Sequence, residues 1–257
     1  MEFRLMGPVE ACDGADLVPL GSPQQRFVLV ALLLEPNRVV AVDRLVDMMW
    51  PEGAPASARN ALQVYVSRLR RVLRPRCGAQ TDSSRVEIQT VGAGYRIVVD
   101  PEAVDVHRFH ALLEAARRAR GEERAVSLLR RALELWSGPP LADLDSPWLR
   151  RHVCLPWEES WADAHEQLFT MELRRGNHHQ VLPRLREFAA RYPTRERLAA
   201  QLMAALYDMG QRAEALAAYR RVSEAFSSQL GIDPGPALDE LHLAILRNDP
   251  VGVPAGR

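Results

Sequence analysis

The sequence contains no lysine: all 33 of its basic residues are arginine, and 33 acidic residues balance them to a net charge of zero. The overall charge therefore offers no attraction to nucleic acid or to an anionic membrane, and any such attraction must come from a local cluster. Cysteine is scarce too. Cys12, Cys77 and Cys154 are far apart and odd in number, so neither a disulfide framework nor a paired metal or redox motif is expected, and they read as free thiols. No run approaches the ~18 consecutive apolar residues of a membrane span. Met1-Glu2-Phe3-Arg4 lacks a basic stretch followed by an apolar one, so no secretory signal is expected, and the expected location is cytoplasmic with no membrane partner. Signatures of catalysis are missing as well. The phosphate-binding loop, the dinucleotide glycine motif and the nucleophile elbow do not occur. His107 and His110 lie one turn apart and His178-His179 are adjacent, but neither pair has a third ligand at metal-binding spacing. An enzyme, a metal site and a cofactor are not expected.

What is present is an ordinary globular composition, 47% hydrophobic and 26% charged over 257 residues. That length predicts two domains of roughly 100 to 150 residues. The charges are unevenly spread. From Gly53 through Thr81 there is no Asp or Glu, while Arg59, Arg68, Arg70, Arg71, Arg74 and Arg76 all fall there. Screening confines a charge to about 10 Å at moderate salt, so this stripe can attract phosphate on a neutral protein.

The first hundred residues alternate strand and helix signals. Glu2 to Leu20 reads as short antiparallel strands broken at Gly7-Pro8 and Asp13-Gly14. Ser22-Pro23 caps a helix that carries Phe27 to Leu34, Val39 to Val42 reads as a brief strand, and Asp43 to Trp50 as a short helix stopped by Pro51. Pro55 and Ser57 open a third helix that runs to about Leu73. At roughly 100° per residue, Leu62, Val66, Leu69 and Leu73 form its apolar stripe, with Tyr65 and Val72 on the margin. Almost opposite lie Asn60, Val64, Ser67, Arg68 and Arg71, with Gln63 and Arg74 beside them. Arg can donate bidentately to guanine, Asn and Gln to adenine, and a small apolar side chain can meet a thymine methyl. A merely solvated face usually carries both signs of charge, and this one has no acid. Arg59 and Arg70 fall on the flank of the helix, and Arg74 and Arg76 at its end, positions at which they are expected to hold phosphates or pack locally. Val86–Val91 and Tyr95–Val99 then read as strands joined by the tight turn Gly92-Ala93-Gly94. A hairpin that follows a basic helix forms a wing, on which Arg85, Thr90 and Arg96 can reach phosphate or the minor groove.

Ser57-Ala-Arg-Asn-Ala-Leu-Gln-Val-Tyr-Val-Ser-Arg-Leu-Arg-Arg71, followed by Ile88-Gln-Thr-Val-Gly-Ala-Gly-Tyr95, resembles the OmpR-type winged helix. The resemblance implies that Asn60, Val64, Ser67, Arg68 and Arg71 face the major groove and that the glycine turn forms the wing. The DNA-binding segment starts at residue 1, so no receiver domain and no phosphoacceptor aspartate are expected.

Beyond a short extended connector, Val99 to Asp105, the pattern is helical nearly throughout. Helices are expected at about 106–119, 122–136, 147–175, 178–192, 195–209, 212–230 and 236–247, and residues 249–257 as a flexible tail. Gly176 and Gly210 lie 34 residues apart, the tetratricopeptide period. Val181, Leu185 and Phe188 stand in register with Ala215, Tyr219 and Val222, Pro193 sits where a repeat ends, and a fainter copy with Val126 and Leu133 follows Gly121. Such a solenoid favours a protein-binding surface, and a packing-only helical bundle is the simpler alternative. Trp136, Trp148, Trp157 and Trp161 fall in this half, as core or as the lining of a ligand pocket.

Leu45-Val46, Trp50, Val104-Asp-Val-His-Arg-Phe109, Ala132-Leu-Glu-Leu-Trp-Ser-Gly138, Glu214-Ala-Leu-Ala-Ala-Tyr219 and Leu230-Gly-Ile-Asp-Pro-Gly235 join the helix motif in a wider match. Together the segments resemble the Streptomyces antibiotic regulatory protein family over residues 3 to 248. Membership implies a winged helix-turn-helix domain at 1–99 and an all-α, tetratricopeptide-like bacterial transcriptional activation domain at 104–248. It also implies an activator of secondary metabolism that binds direct repeats in double-stranded promoter DNA, with a second copy of itself, and that recruits RNA polymerase holoenzyme through its sigma factor and core subunits. The length matches the small form of the family. The competing expectations are a helical-repeat adaptor and a ligand-sensing regulator.

Overall fold

The computed structural model describes residues 1–74 and 86–252. The chain divides into two compact units, Met1–Arg118 with Arg131–Ser160, and Ala119–Arg130 with Trp161–Arg257.

The first unit opens with an antiparallel sheet, β1 (Glu2–Arg4), β2 (Glu10–Asp13) and β3 (Asp16–Leu17), in that spatial order. Alternation puts Phe3 inside, opposite the buried Ala11. α1 (Pro23–Leu33) starts as the sequence predicts: Ser22 accepts from the Gln25 amide, the Gln25 side chain accepts from the Ser22 amide, and Pro23 takes the first turn. Every residue from Phe27 to Leu33 is buried, so α1 forms the centre of the unit. β4 (Val40–Ala41), α2 (Val42–Met49) and α3 (Ala58–Val72) follow, then β5 (Glu87–Val91) and β6 (Gly94–Val98). The second sheet has the order β4-β6-β5. Three helices closed by a terminal hairpin make a winged helix-turn-helix, the expected fold.

This unit is larger than the winged helix alone. After a 3-10 turn at Pro101–Ala103, Val104 bridges to Phe3 and α4 (Asp105–Arg117) begins. Asp105 is buried, and its carboxylate accepts the amides of Leu5 (2.8 Å), Met6 (2.9 Å) and Val106 (2.7 Å). Burial pushes its carboxyl above the usual range, while the three amides and the nearby Arg108 charge pull the other way. The segment around Gly7, from Leu5 to Val9, is held by further contacts. Ser137 N donates to Met6 O (2.8 Å), Leu141 N to Leu5 O (3.1 Å), and Val9 N to the Asp143 carboxylate, which also pairs with Arg26.

The sequence predicts one continuous helix over 147–175. The structure instead has a short helix, α6 (Pro147–Leu149), a π-helical turn at Arg150–Cys154, and α7 (Leu155–Arg174). Pro156 has no N–H to give the carbonyl of His152 and its ring crowds that carbonyl, so regular α geometry is not available there.

The second unit contains residues 122–130 of α5 (Glu122–Leu133), residues 161–174 of α7, and α8 (His178–Arg191), α9 (Glu196–Asp208), α10 (Arg212–Leu230) and α11 (Pro236–Arg247). Gly176 and Gly210 both adopt the left-handed conformation that ends a helix, at φ +79° and +74°. Val181, Leu185 and Phe188 are buried after the first, and Ala215 and Val222 after the second, while Tyr219 is half-buried. α10 continues past Ser227 to Leu230, where Gly231 caps it. Tyr219 donates to Asp239 (2.6 Å) and stacks on His242 at 3.7 Å, fastening α10 to α11. Trp161 lies in the core of this unit. Trp157 is buried in the first, where Trp136 and Trp148 are half-buried.

One core feature of the second unit has no counterpart among the sequence expectations. His165 is buried between aromatic rings, stacked on Phe188 at 4.2 Å and edge-on to Trp161 at 4.5 Å. Burial drags its pKa down to about 4, so it is neutral at pH 7, and its Nδ1 lies 3.0 Å from Trp161 O. Buried carboxylates nearby are compensated: Glu166 pairs with Arg195 (2.9 Å), and Glu172 with Arg130 (2.8 Å) and Asn177 (2.5 Å).

Candidate nucleic-acid interface

α3 is amphipathic as its sequence requires. Leu62, Val66, Leu69 and Leu73 are buried, and Tyr65 and Val72 are half-buried at the margin. Asn60, Gln63, Val64, Ser67, Arg68, Arg71 and Arg74 are all exposed on the other side. Val64, 46% exposed, is the apolar member of this face. Arg68, Arg71 and Arg74 form no ion pair with any described residue, so their charges are available to an external anion. Arg59, on the flank, pairs with Asp43 of α2, and both side chains are well exposed. Such a pair is worth little in water and can be exchanged for a phosphate contact. Arg76 and Arg85 lie outside the described residues.

The hairpin is built for a tight turn. Gly92 takes φ +55° and Ala93 follows, the pattern of a two-residue loop whose twist suits the strands. Gly94 has a separate reason to be glycine, because a Cβ there would lie 2.6 Å from Val40 O, where β4 pairs with β6. Asn37 fastens the base of the hairpin. It adopts a left-handed backbone (φ +64°), donates its amide to Ile97 O (2.9 Å), and its side chain exchanges two hydrogen bonds with the backbone of Val99.

Of the wing residues singled out in the sequence, Thr90 and Arg96 already have partners within the protein. Thr90 is exposed, and its Oγ1 accepts from Arg70 Nη2 at 2.7 Å. Arg96 is half-buried and donates to Gln89 Oε1 at 2.7 Å. Arg70, read from sequence as a flanking cation, is half-buried and turned toward the wing: its Nε donates to Ile88 O at 2.7 Å and its guanidinium stands 6.0 Å from the Tyr95 ring centre. Asn37, Arg70 and Asp105 act through backbone carbonyls and amides distant in sequence, which periodicity does not reveal.

Among the described residues no helix is long and apolar enough to cross a membrane, and no group of three or more His, Cys, Asp or Glu side chains is placed to hold a metal ion.

Residues 104–246 match the bacterial transcriptional activator domain, and residues 18–97 match the C-terminal domain of transcriptional regulatory proteins. The chain is 37% identical to the regulatory protein AfsR of Streptomyces coelicolor over 97% of its own length, although it spans 24% of AfsR. It is 35% identical to the regulatory protein DnrI of Streptomyces peucetius, covering 97% of this chain and 93% of DnrI. The solved structure of Mycobacterium tuberculosis EmbR in complex with a low affinity phosphopeptide superposes with a TM-score of 0.86 at 35% identity, over 98% of this chain and 66% of that one. The chain combines a winged helix-turn-helix domain of the kind found in transcriptional regulatory proteins with a bacterial transcriptional activator domain. It belongs to the Streptomyces antibiotic regulatory protein family.

Proposed function

We propose that this chain is a sequence-specific, cytoplasmic activator of a secondary-metabolite pathway. It lays α3 in the major groove of promoter DNA, sets its wing against the neighbouring backbone, and acts without catalysis or cofactor. The observation that carries this reading is the exposed, acid-free face of α3, on which Arg68 and Arg71 have no partner among the described residues while Asn60, Gln63 and Ser67 stand beside them. Arg68 reads a base edge together with Asn60, Gln63, Val64 and Ser67. Arg71, Arg74 and Arg59 hold phosphates, and Arg96 brings the wing to the backbone, on the hairpin whose other strand carries Thr90.

Two copies bind head-to-tail on direct repeats, and the complex recruits RNA polymerase holoenzyme through weak contacts with its sigma factor and core subunits, which DNA binding makes effective by raising local concentration. A nuclease footprint on DNA upstream of the genes adjoining its own tests this reading. The expected result is two protected direct repeats about one helical turn apart. Uniform, sequence-independent protection at every protein concentration would contradict it.

A further inference from the structure

We propose that Arg70 is a positioning residue rather than a DNA contact: it braces the recognition helix against the wing and thereby fixes the distance between the two elements that touch DNA. The inference rests on the DNA-binding reading of α3. It goes beyond the sequence reading of Arg70, which places it on the flank of the helix to hold a phosphate or pack locally and names no partner for it.

The geometry is specific. Arg70 leaves α3 at the edge of its buried stripe, one residue after Leu69, which is fully buried, and one before the exposed Arg71. Its fork makes two hydrogen bonds of 2.7 Å to β5, from Nε to Ile88 O and from Nη2 to Thr90 Oγ1. A planar guanidinium can hold two acceptors at once in a fixed orientation, and lysine cannot. The face of Tyr95, across the hairpin on β6, lies beneath the cation. One side chain therefore spans α3, β5 and β6.

The brace has a mechanical reason. β5 is an edge strand of the β4-β6-β5 sheet, whereas β6 is held by β4 on one side and by Asn37 at its end. The strand that carries Thr90 toward the wing tip is thus the one less supported by backbone pairing, and Arg70 ties it to the helix. Fixing the wing before binding removes an ordering cost from the complex, which raises affinity without adding a contact. A guanidinium engaged in this way has its Nε and Nη2 turned into the protein, unlike Arg68 and Arg71.

Salt dependence separates a brace from a phosphate ligand, because removing one cation from a phosphate reduces the slope of log K against log salt by about one. The probe is a duplex selected by the wild-type protein from a random pool, titrated at several salt concentrations. For Arg70→Ala the expected result is a loss of about tenfold in affinity with the wild-type slope, and Arg70→Lys, which keeps the charge, should fare no better than alanine. Thr90→Val removes the acceptor and leaves every charge in place. It should weaken binding in the wild type but add nothing in the Arg70→Ala background, since both remove the same link.

A slope reduced by one in Arg70→Ala, rescue by Arg70→Lys, or additive losses for the two substitutions would overturn the brace and make Arg70 or Thr90 a direct contact. If Arg70→Ala does not fold, as judged by its melting curve, Thr90→Val decides: wild-type affinity in that variant overturns the proposal. Failure of the wild-type protein to prefer the selected duplex over a scrambled one would instead reject the DNA-reading assignment itself.

Discussion

Replacing Asp105 by alanine is expected to destabilise the protein by about 3 kcal/mol or more, a large share of a typical domain's reserve. The carboxylate is buried, with the amides of Leu5 and Met6 as its long-range partners. Removing it leaves three buried donors, the amides of Leu5, Met6 and Val106, without that acceptor, each costing about 1 to 3 kcal/mol, and adds a small cavity. Asp105→Asn keeps one acceptor oxygen and the side-chain shape but turns an NH2 group toward backbone donors, so it should fall between wild type and alanine. Urea unfolding followed by circular dichroism measures both. An Asp105→Ala protein within 0.5 kcal/mol (about the scatter of neutral surface substitutions) of the wild type would refute this role.

The second large effect is a response to acid that originates at His165. Its folded pKa, about 4, lies below the unfolded value of 6.5, because protonation would bury a charge among Trp161 and Phe188. The unfolded chain takes up the proton first. The stability contributed by the neutral ring is fully present above pH 6.5 and is lost as pH falls toward and through 4. The whole window corresponds to about 3 kcal/mol. Other groups titrate in the same range, so the comparison is with His165→Phe, which cannot titrate. Between pH 6.5 and 4 the wild type should lose more stability than the variant, with a slope difference approaching one proton. Parallel stability curves for the two proteins over that interval would mean that His165 is not held neutral by the fold.

Much of this architecture is legible in the sequence, for physical reasons that differ by element. α3 could be read because its stripe of Leu62, Val66, Leu69 and Leu73 follows the helical period without interruption, so its polar face is fixed by geometry. The hairpin could be read because Gly92 and Gly94 serve backbone needs that few other residues meet. Gly176 and Gly210 mark helix ends for the same reason. What could not be read depends on partners far along the chain. Asp105 looks like a helix-start acid until Leu5 and Met6 are seen beside it. Arg70 is indistinguishable from Arg71 by residue type, and the two differ by a 100° turn that sends one into the wing and the other outward. The π-helical turn before Leu155 could be suspected from Pro156, yet the surrounding apolar periodicity masks it. His165 does carry a local signal, the spacing Trp161-His165-Phe169 on one helical face, which marks an aromatic stripe with a histidine inside it.

Binding by four proteins to two duplexes tests whether the exposed face of α3 reads DNA. The affinities of the wild type, Arg68→Ala, Arg71→Ala and Arg96→Ala are determined by fluorescence anisotropy on the selected duplex and on a scrambled one, across a range of salt. Arg71→Ala should weaken both duplexes alike and lower the salt slope by about one, as removal of a phosphate-binding cation does. Arg68→Ala should weaken the selected duplex by about tenfold or more and the scrambled one much less, because a base contact worth roughly 1 to 3 kcal/mol disappears. Arg96→Ala should bind more weakly while keeping the wild-type melting temperature. Wild-type affinity, slope and discrimination in both Arg68→Ala and Arg71→Ala would contradict the assignment of this face to DNA.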